Sequence, residues 1–217
     1  MLLATDLDGT FLAGAPEKRL KLYQLISAHP EIDLVFVTGR GLESVIPLLS
    51  DPTIPQPNYI ICDVGCTVVH GDSQQAIQPI QGEIDDLWPG EQIIEEALSS
   101  FEGLQRQEVP QERRVSYFCH NEVVTQDMRG HMEKLSCDVL FSAGKYLDIL
   151  PQGVNKGRTL SRLVEHLGVD PDAVMVAGDT LNDLSMYQHN FKGVCVGESE
   201  TGLLNATKHQ ARVFHAD

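Results

Sequence analysis

"LLATDLDGTF", Leu2 to Phe11, decides how this chain folds. Leu2, Leu3 and Ala4 are apolar enough for a buried strand. Asp6 and Asp8 follow at a spacing of two, with Gly9 and Thr10 behind them. A strand alternates its side chains between faces, but a turn beginning at Leu7 brings both carboxylates to one place. Two like charges held together cost free energy unless a cation or a reaction uses them. The stretch therefore predicts a core strand with chemistry at its carboxyl end.

Working outward, the first seventy residues alternate strand and helix. A helix is expected over about 16–28, with Pro16 in its first turn and Leu22, Leu25 and Ile26 as its apolar side. "DLVFVTGR" (33–40) is a β-branched run of the kind buried on both faces of a parallel sheet. A short helix follows, with Val45, Ile46, Leu48 and Leu49 apolar. "DPTIPQP" (51–57) is a loop, and "YIICDVG" (59–65) the third strand. From residue 66 the pattern changes to hairpins and helices, with strands expected at 114–120, 138–142 and 146–151. After Gly153 the alternation returns: a helix ending near Gly168, a strand over 173–178, a helix from "TLNDLSMYQ", a strand "KGVCVG", a short helix over 199–207 and a last strand "ARVF". The predicted architecture is an α/β fold, a doubly wound parallel sheet made of 1–65 and 153–217. An α+β cap is inserted at 66–152.

Composition bounds the function. The chain has 217 residues, 42% hydrophobic and 22% charged, with a formal net charge of -15. It can bury a core without disulfide or zinc staples. Its charge repels nucleic acid and anionic membranes, and no apolar run approaches the ~18 residues of a membrane span. Five cysteines without a CxxC read as buried free thiols, which fits a reducing, cytoplasmic setting. The start of the chain has no basic region or cleavage site of a signal peptide. The histidines have no paired spacing, so zinc is not expected.

Four features fall at or just past the ends of expected core strands: Asp6/Asp8; Thr38 with Gly39 and Arg40; Lys156; and "GDTLND" (178–183). In an open α/β sheet ligands bind at the carboxyl ends of the strands, so these features converge. Asp6, Asp8, Asp179 and, one turn on, Asp183 would hold a hard divalent cation such as Mg²⁺. Lys156 supplies a point charge for a phosphate and Thr38 a hydroxyl. Backbone amides after Asp6 and around Gly39 would line the phosphate oxygens. Asp6, at the rigid strand tip, is placed to attack phosphorus. Asp8, in the loop, is placed to protonate the departing oxygen and later activate water.

"DLDGT" (6–10), "VTGR" (37–40), Lys156 and "GDTLND" (178–183) together resemble the four motifs of the haloacid dehalogenase phosphatases. The cap between the second and third motifs resembles that of the Cof-type and sucrose-phosphatase-like branch. "SAGKYLDILPQGVNKG" (142–157) resembles the stretch joining cap to core there. The resemblance implies a Mg²⁺-dependent phosphomonoester hydrolase working through an aspartyl-phosphate. It gives Asp6 as nucleophile and metal ligand, and Asp8 as acid/base with its backbone carbonyl on the metal. It further gives Thr38 and Lys156 on the phosphoryl group, Asp179 as the far metal ligand, Asp183 supporting metal water or Lys156, and Asn182 near phosphate. The implied substrate is a small sugar phosphate, a disaccharide or glycosyl-glycerate phosphate, acted on by a monomer or weak homodimer. Its hydroxyls would meet Lys145, Asp148, Ser116, Tyr117 and His120 of the cap, with Arg40 at the site entrance. The rival readings are a sugar phosphomutase or phosphotransferase, which shares the core motifs, and a non-catalytic phosphosugar-binding protein. The second would normally lack a catalytic carboxylate, and all are present here.

Overall fold

The structure is a computed structural model, and it describes residues 1–216. The first strands in chain order are β1 (Leu2–Thr5), β2 (Asp33–Val37), β3 (Tyr59–Cys62), β4 (Thr67–His70), β5 (Gln105–Arg106) and β6 (Val115–Phe118). They continue as β7 (Cys137–Ser142), β8 (Tyr146–Pro151), β9 (Val174–Gly178), β10 (Lys192–Cys195) and β11 (Val213–His215). The helices are α1 (Pro16–Ala28), α2 (Leu42–Val45), α3 (Ile80–Leu87), α4 (Glu91–Leu98), α5 (Gln126–Lys134), α6 (Lys156–His166) and α7 (Thr201–Thr207).

The alternation of β1 explains its central place. Leu2 and Ala4 enter one apolar cluster with Val35, Val37, Val174 and Val176, under Leu160 and Leu163 of α6. Leu3 packs on the opposite cluster, with Leu34, Phe36 and Ile60 beneath Tyr23 and Ile26 of α1. Each fully buried aliphatic side chain contributes about 1.5–3 kcal/mol, which only a strand covered on both faces collects from every residue. The sheet order is β11-β10-β9-β1-β2-β3-β4. All neighbours are parallel except the edge pair β3–β4. From β1 the strand order runs outward one way as β2 and β3 and the other way as β9, β10 and β11, so the tip of β1 lies at the switch point, a crevice.

Three expectations change. The strand at 67–70 is antiparallel to β3 and belongs to the core sheet, not to the cap. Ile77, Ile80 and Ile84 behind it pack into the core cluster as well. The run of Val68 and Val69 is a buried edge strand, and the chain leaves the core only after α3. On α1 the buried stripe is Tyr23 and Ile26, while Leu22 and Leu25 are 40% and 55% exposed. Tyr23 wins that face because its ring packs on Phe11 at 4.7 Å and its hydroxyl donates to the Phe11 carbonyl at 2.9 Å. The helix expected from Thr180 is a 3-10 helix over Leu181–Gln188 and not an α-helical one.

The cap is a four-stranded antiparallel sheet in the order β5-β6-β8-β7. Val115, Tyr117, Leu147 and Ile149 face α4 and α5, packing on Ile94, Leu98, Met128 and Met132. By the two-residue period of strands, Ser116, Tyr146 and Asp148 face the other way, toward the core.

Candidate active site

After β1 the chain turns at once. The Phe11 amide donates to the Asp6 carbonyl at 3.1 Å and the Leu12 amide to the Leu7 carbonyl at 2.9 Å. Gly9 sits in this turn at φ +84°, and a Cβ there would lie 2.1 Å from Asp179 Oδ2. The glycine is thus required twice, for a left-handed backbone and for room beside a carboxylate. Asp179 Oδ1 accepts the Thr10 hydroxyl at 3.0 Å, which stitches the first loop to the end of β9.

Asp6, Asp179 and Asp183 form one cluster, with a carboxylate oxygen of each within 4.8 Å of the others. Lys156, in the first turn of α6, is completely buried against them. Its three N–H donors are all used: Asp6 Oδ1 at 2.7 Å, Asp183 Oδ1 at 2.6 Å and Asn182 Oδ1 at 3.0 Å. Asp183 is equally committed, since its Oδ2 accepts the amides of Asp179 and Thr180 at 3.0 Å each. Its side chain closes a capping box with Thr180. Three carboxylates and one ammonium leave two negative charges in excess, in the interior. Burial pushes the Asp6 carboxyl up, against the pull of Lys156. Burial and Asp183 push Asp179 up to about 6. Although burial opposes its charge, Asp183 and Asp6 hold the Lys156 ammonium above its ordinary range. An all-oxygen set with two unbalanced charges fits a hard divalent cation.

That imbalance sets a sign. A carboxyl whose folded value is raised keeps its proton where the unfolded chain has lost it. Metal-free stability therefore falls as pH rises from the ordinary carboxylate range through about 6, the value for Asp179, and about 7, that for Asp6. A bound divalent cation replaces the protons. At a hundredfold excess over its Kd it contributes about 2.7 kcal/mol, which at about 2–4 °C per kcal/mol is a Tm rise of about 5–11 °C. The rise on adding MgCl₂ is expected at pH 8 and is expected to vanish near pH 5, as scanning calorimetry would read. An equal rise at both values would place the ion elsewhere.

The residues expected on the phosphate divide: Lys156, fully buried and with its three donors spent on Asp6, Asp183 and Asn182, does not line the cleft and reaches it only through those partners. Thr38 is fully buried at the end of β2, and its Oγ1 accepts the Arg40 amide at 3.1 Å. Gly39 and Asn182 line the same cleft as Asp6 and Asp8, a space of about 350 Å³ between core and cap. Asp8 is not part of the carboxylate cluster. Its side chain is 58% exposed and held two-pronged by Arg40, Nε to Oδ2 at 2.7 Å and Nη2 to Oδ1 at 2.6 Å. Arg40 therefore aims Asp8 into the cleft, besides lining it.

The cap residues divide. Asp148 lines the cleft and accepts the Ser116 hydroxyl at 2.5 Å, so Ser116 supports it from behind. Tyr117 points the other way, into the apolar core of the cap, with the Arg106 guanidinium 5.8 Å over its ring. Adjacent strand residues cannot share a face, so Ser116 and Tyr117 never could both meet one ligand. Lys145 is exposed at the hairpin tip over the Tyr146 ring, and His120 is exposed outside the cleft. Residues passed over in the sequence line it instead: Gln107, Pro110, Arg114, Ser142 and Tyr146 of the cap and Ser44 of α2.

The model of the family described as sucrose-6F-phosphate phosphohydrolase matches residues 1–217. Over 218 residues the chain is 59% identical to a glucosylglycerol-phosphate synthase of Pseudomonas anguilliseptica, covering 100% of this chain but 29% of that protein. It is 28% identical to a mannosylfructose-phosphate phosphatase of Agrobacterium fabrum, covering 99% of this chain and 90% of that one. The structure of the sucrose-phosphatase of Synechocystis, solved with sucrose and phosphate, superposes with a TM-score of 0.84 at 26% identity, covering 100% and 91% of the two chains. The five cysteines are all buried and free. No helix among the described residues is long and apolar enough to cross a membrane.

Proposed function

This chain belongs to the sucrose-6F-phosphate phosphohydrolase family of the haloacid dehalogenase superfamily, phosphatases that act on sugar phosphates, and we propose that its own substrate is glucosylglycerol phosphate. The observation that carries this reading is the 59% identity, along the full chain, to a protein named for making that compound. Identity to the mannosylfructose-phosphate and sucrose phosphatases is 28% and 26%. Because this chain spans 29% of that synthase, the reading concerns the matched segment alone.

The reaction is hydrolysis of a phosphomonoester. The Asp6 carboxylate attacks phosphorus as the bond to the ester oxygen breaks, and Asp8, protonated on an oxygen that Arg40 has released, gives the departing oxygen its proton. The aspartyl-phosphate is then cleaved by water that Asp8 deprotonates. Asp6 and Asp179, with Asp183 behind them and the Asp8 carbonyl beside them, would hold Mg²⁺, which supplies charge stabilisation to the phosphoryl group. Thr38 and the amides around Gly39 orient the phosphate. Asn182, turned by Lys156 so that its oxygen faces the ammonium, presents its amide hydrogens. A mutase would need a bound second phosphate and a site closed to water. The release of free phosphate separates the two.

With Mg²⁺ present, glucosylglycerol phosphate is expected to give the highest kcat/KM in a panel with sucrose 6-phosphate, mannosylfructose phosphate and glycerol phosphate. The glycosyl hydroxyls are worth about 10–100-fold over glycerol phosphate, as one or two polar contacts at ~1.4 kcal/mol each. A preference for sucrose 6-phosphate would overturn the substrate. No phosphate release from any of them would overturn the hydrolase.

A further inference from the structure

Arg114 stands immediately before β6 and is 6% exposed. Its guanidinium lies between carboxylates from both halves of the molecule. Nη2 is 3.3 Å from Oδ1 of Asp63, in the core loop after β3, and Nη1 is 3.3 Å from Oδ1 of Asp148 in the cap. Its buried Nε–H and the Asp63 Oδ1 have no hydrogen-bond partner. The fork thus joins the two halves, as a hydrogen bond to Asp148 of the cap and an ion pair to Asp63 of the core.

The segment carrying Arg114 meets the core twice more. The Pro110 carbonyl occupies the space where a Cβ on Gly41 would stand, 2.0 Å away. Arg113 pairs with Asp85 of α3. The loop holding Asp63 is itself unusual, with Asp63 and the β-branched Val64 at φ +53° and +59°. Such backbone is kept where surrounding contacts over-determine it. Here they do: the Asp63 amide donates to the Arg40 carbonyl at 2.9 Å and the Val64 amide to the Thr38 carbonyl at 3.1 Å. Thr67 donates to Asp63 Oδ2 at 3.0 Å. Asp63 is thus fastened to the loop that carries Thr38 and Arg40, and Arg114 fastens the cap to Asp63.

We propose that Arg114 is a positioning residue that seats the cap on the core through Asp63 and aims Asp148 at a sugar hydroxyl of the departing alcohol. Asp148 receives two donors on one oxygen, Ser116 at 2.5 Å and Arg114 at 3.3 Å, and its carboxylate lines the cleft opposite Asp6 and Asp8. A site of this kind reads hydroxyls, since a hydroxyl donates to a carboxylate whose remaining direction is fixed. The inference deepens the sugar-phosphatase reading and rests on it for the identity of the ligand, but the tie between cap and core stands on the Asp63–Arg114–Asp148 geometry alone.

The test uses the full chain and three variants, Arg114→Gln, Arg114→Lys and the near-isosteric Asp63→Asn, which alters a residue outside the cleft. Hydrogen exchange without substrate is followed in 39–44 and 107–114, alongside kcat and KM for glucosylglycerol phosphate. Arg114→Gln and Asp63→Asn are each expected to speed exchange in both segments and to raise KM about 10-fold, the scale of one broken buried pair. Arg114→Lys keeps the charge without the fork and is expected to recover part of both effects. The double variant Arg114→Gln/Asp63→Asn is expected to be no worse than the worse single, because the two residues act through one contact. Unchanged exchange in Asp63→Asn overturns the tie, whatever happens to KM. Faster exchange with unchanged KM overturns the aiming of Asp148. If the wild type fails to hydrolyse the substrate, the function falls, and the exchange still decides the tie.

Discussion

Asp6→Asn is expected to lower phosphate release from every phosphomonoester by at least ~10³-fold, about 4 kcal/mol of transition-state stabilisation. An amide has no anionic oxygen to form the bond to phosphorus, and none of its neighbours can take over. Asp183 is spent on Lys156 and two backbone amides. Asp179 is turned toward Thr10 and Gly9. Asp8 is tied to Arg40 at the cleft wall. The change also removes one of three crowded carboxylates, so the metal-free protein is not expected to lose stability at pH 8. The Tm rise on adding MgCl₂ is expected to shrink. Rapid-quench phosphate release and calorimetry on one preparation separate lost chemistry from lost fold. Activity within tenfold of wild type would overturn the assignment of Asp6 as nucleophile.

The core site was legible because topology places it. Asp6, Thr38 and Asp179 each sit just past the end of a parallel strand, and parallel strands end on one edge. Asp6, Thr38 and Asp179 are thus adjacent although 173 residues of chain separate the first from the last. Lys156 was legible for another reason: a cation in the first turn of a helix is electrostatically misplaced unless an anion waits there, and here three do.

The cap was legible in type but not in detail. Its strands follow from the sequence, but Ser116 and Tyr117 lie on opposite faces because neighbours in a strand alternate. The discriminating signal lay in the strand itself, with Val115, Tyr117 and Cys119 apolar on one face and Arg114 and Ser116 polar on the other. That alternation names Arg114 as facing inward. What it cannot name is the partner, because Asp63 lies in a loop of the other half and only the seating of cap on core brings the two together. The helix α1 misled for a local reason. Leu22 and Leu25 mimic a stripe, but the tyrosine one position on has a carbonyl to bond and an aromatic ring to pack against, and propensity yields to that contact.

Lys156→Met is expected to cost the metal-free protein about 3–5 kcal/mol at pH 8, the usual loss when one member of a buried ionic cluster is removed. At about 2–4 °C per kcal/mol this is a Tm lower by about 6–20 °C. Methionine fills most of the volume, so the loss is electrostatic: three hydrogen bonds vanish and Asp6 and Asp183 stay buried without their cation. The sign of the pH response follows. Without the ammonium, the folded carboxyls bind protons more tightly, while the unfolded ones titrate in their ordinary range. As pH falls toward that range the folded state takes up protons the unfolded state still lacks, and the deficit narrows. Mg²⁺ is expected to narrow it at pH 8 by the same logic. Turnover is expected to fall on glucosylglycerol phosphate and on glycerol phosphate alike, because Lys156 orients Asp6 and Asn182 at the phosphate both substrates share. Calorimetry at pH 5.5 and pH 8, with and without MgCl₂, checks the first part and phosphate release the second. A deficit equal at both pH values would mean that Lys156 contributes packing, not charge balance, to this site.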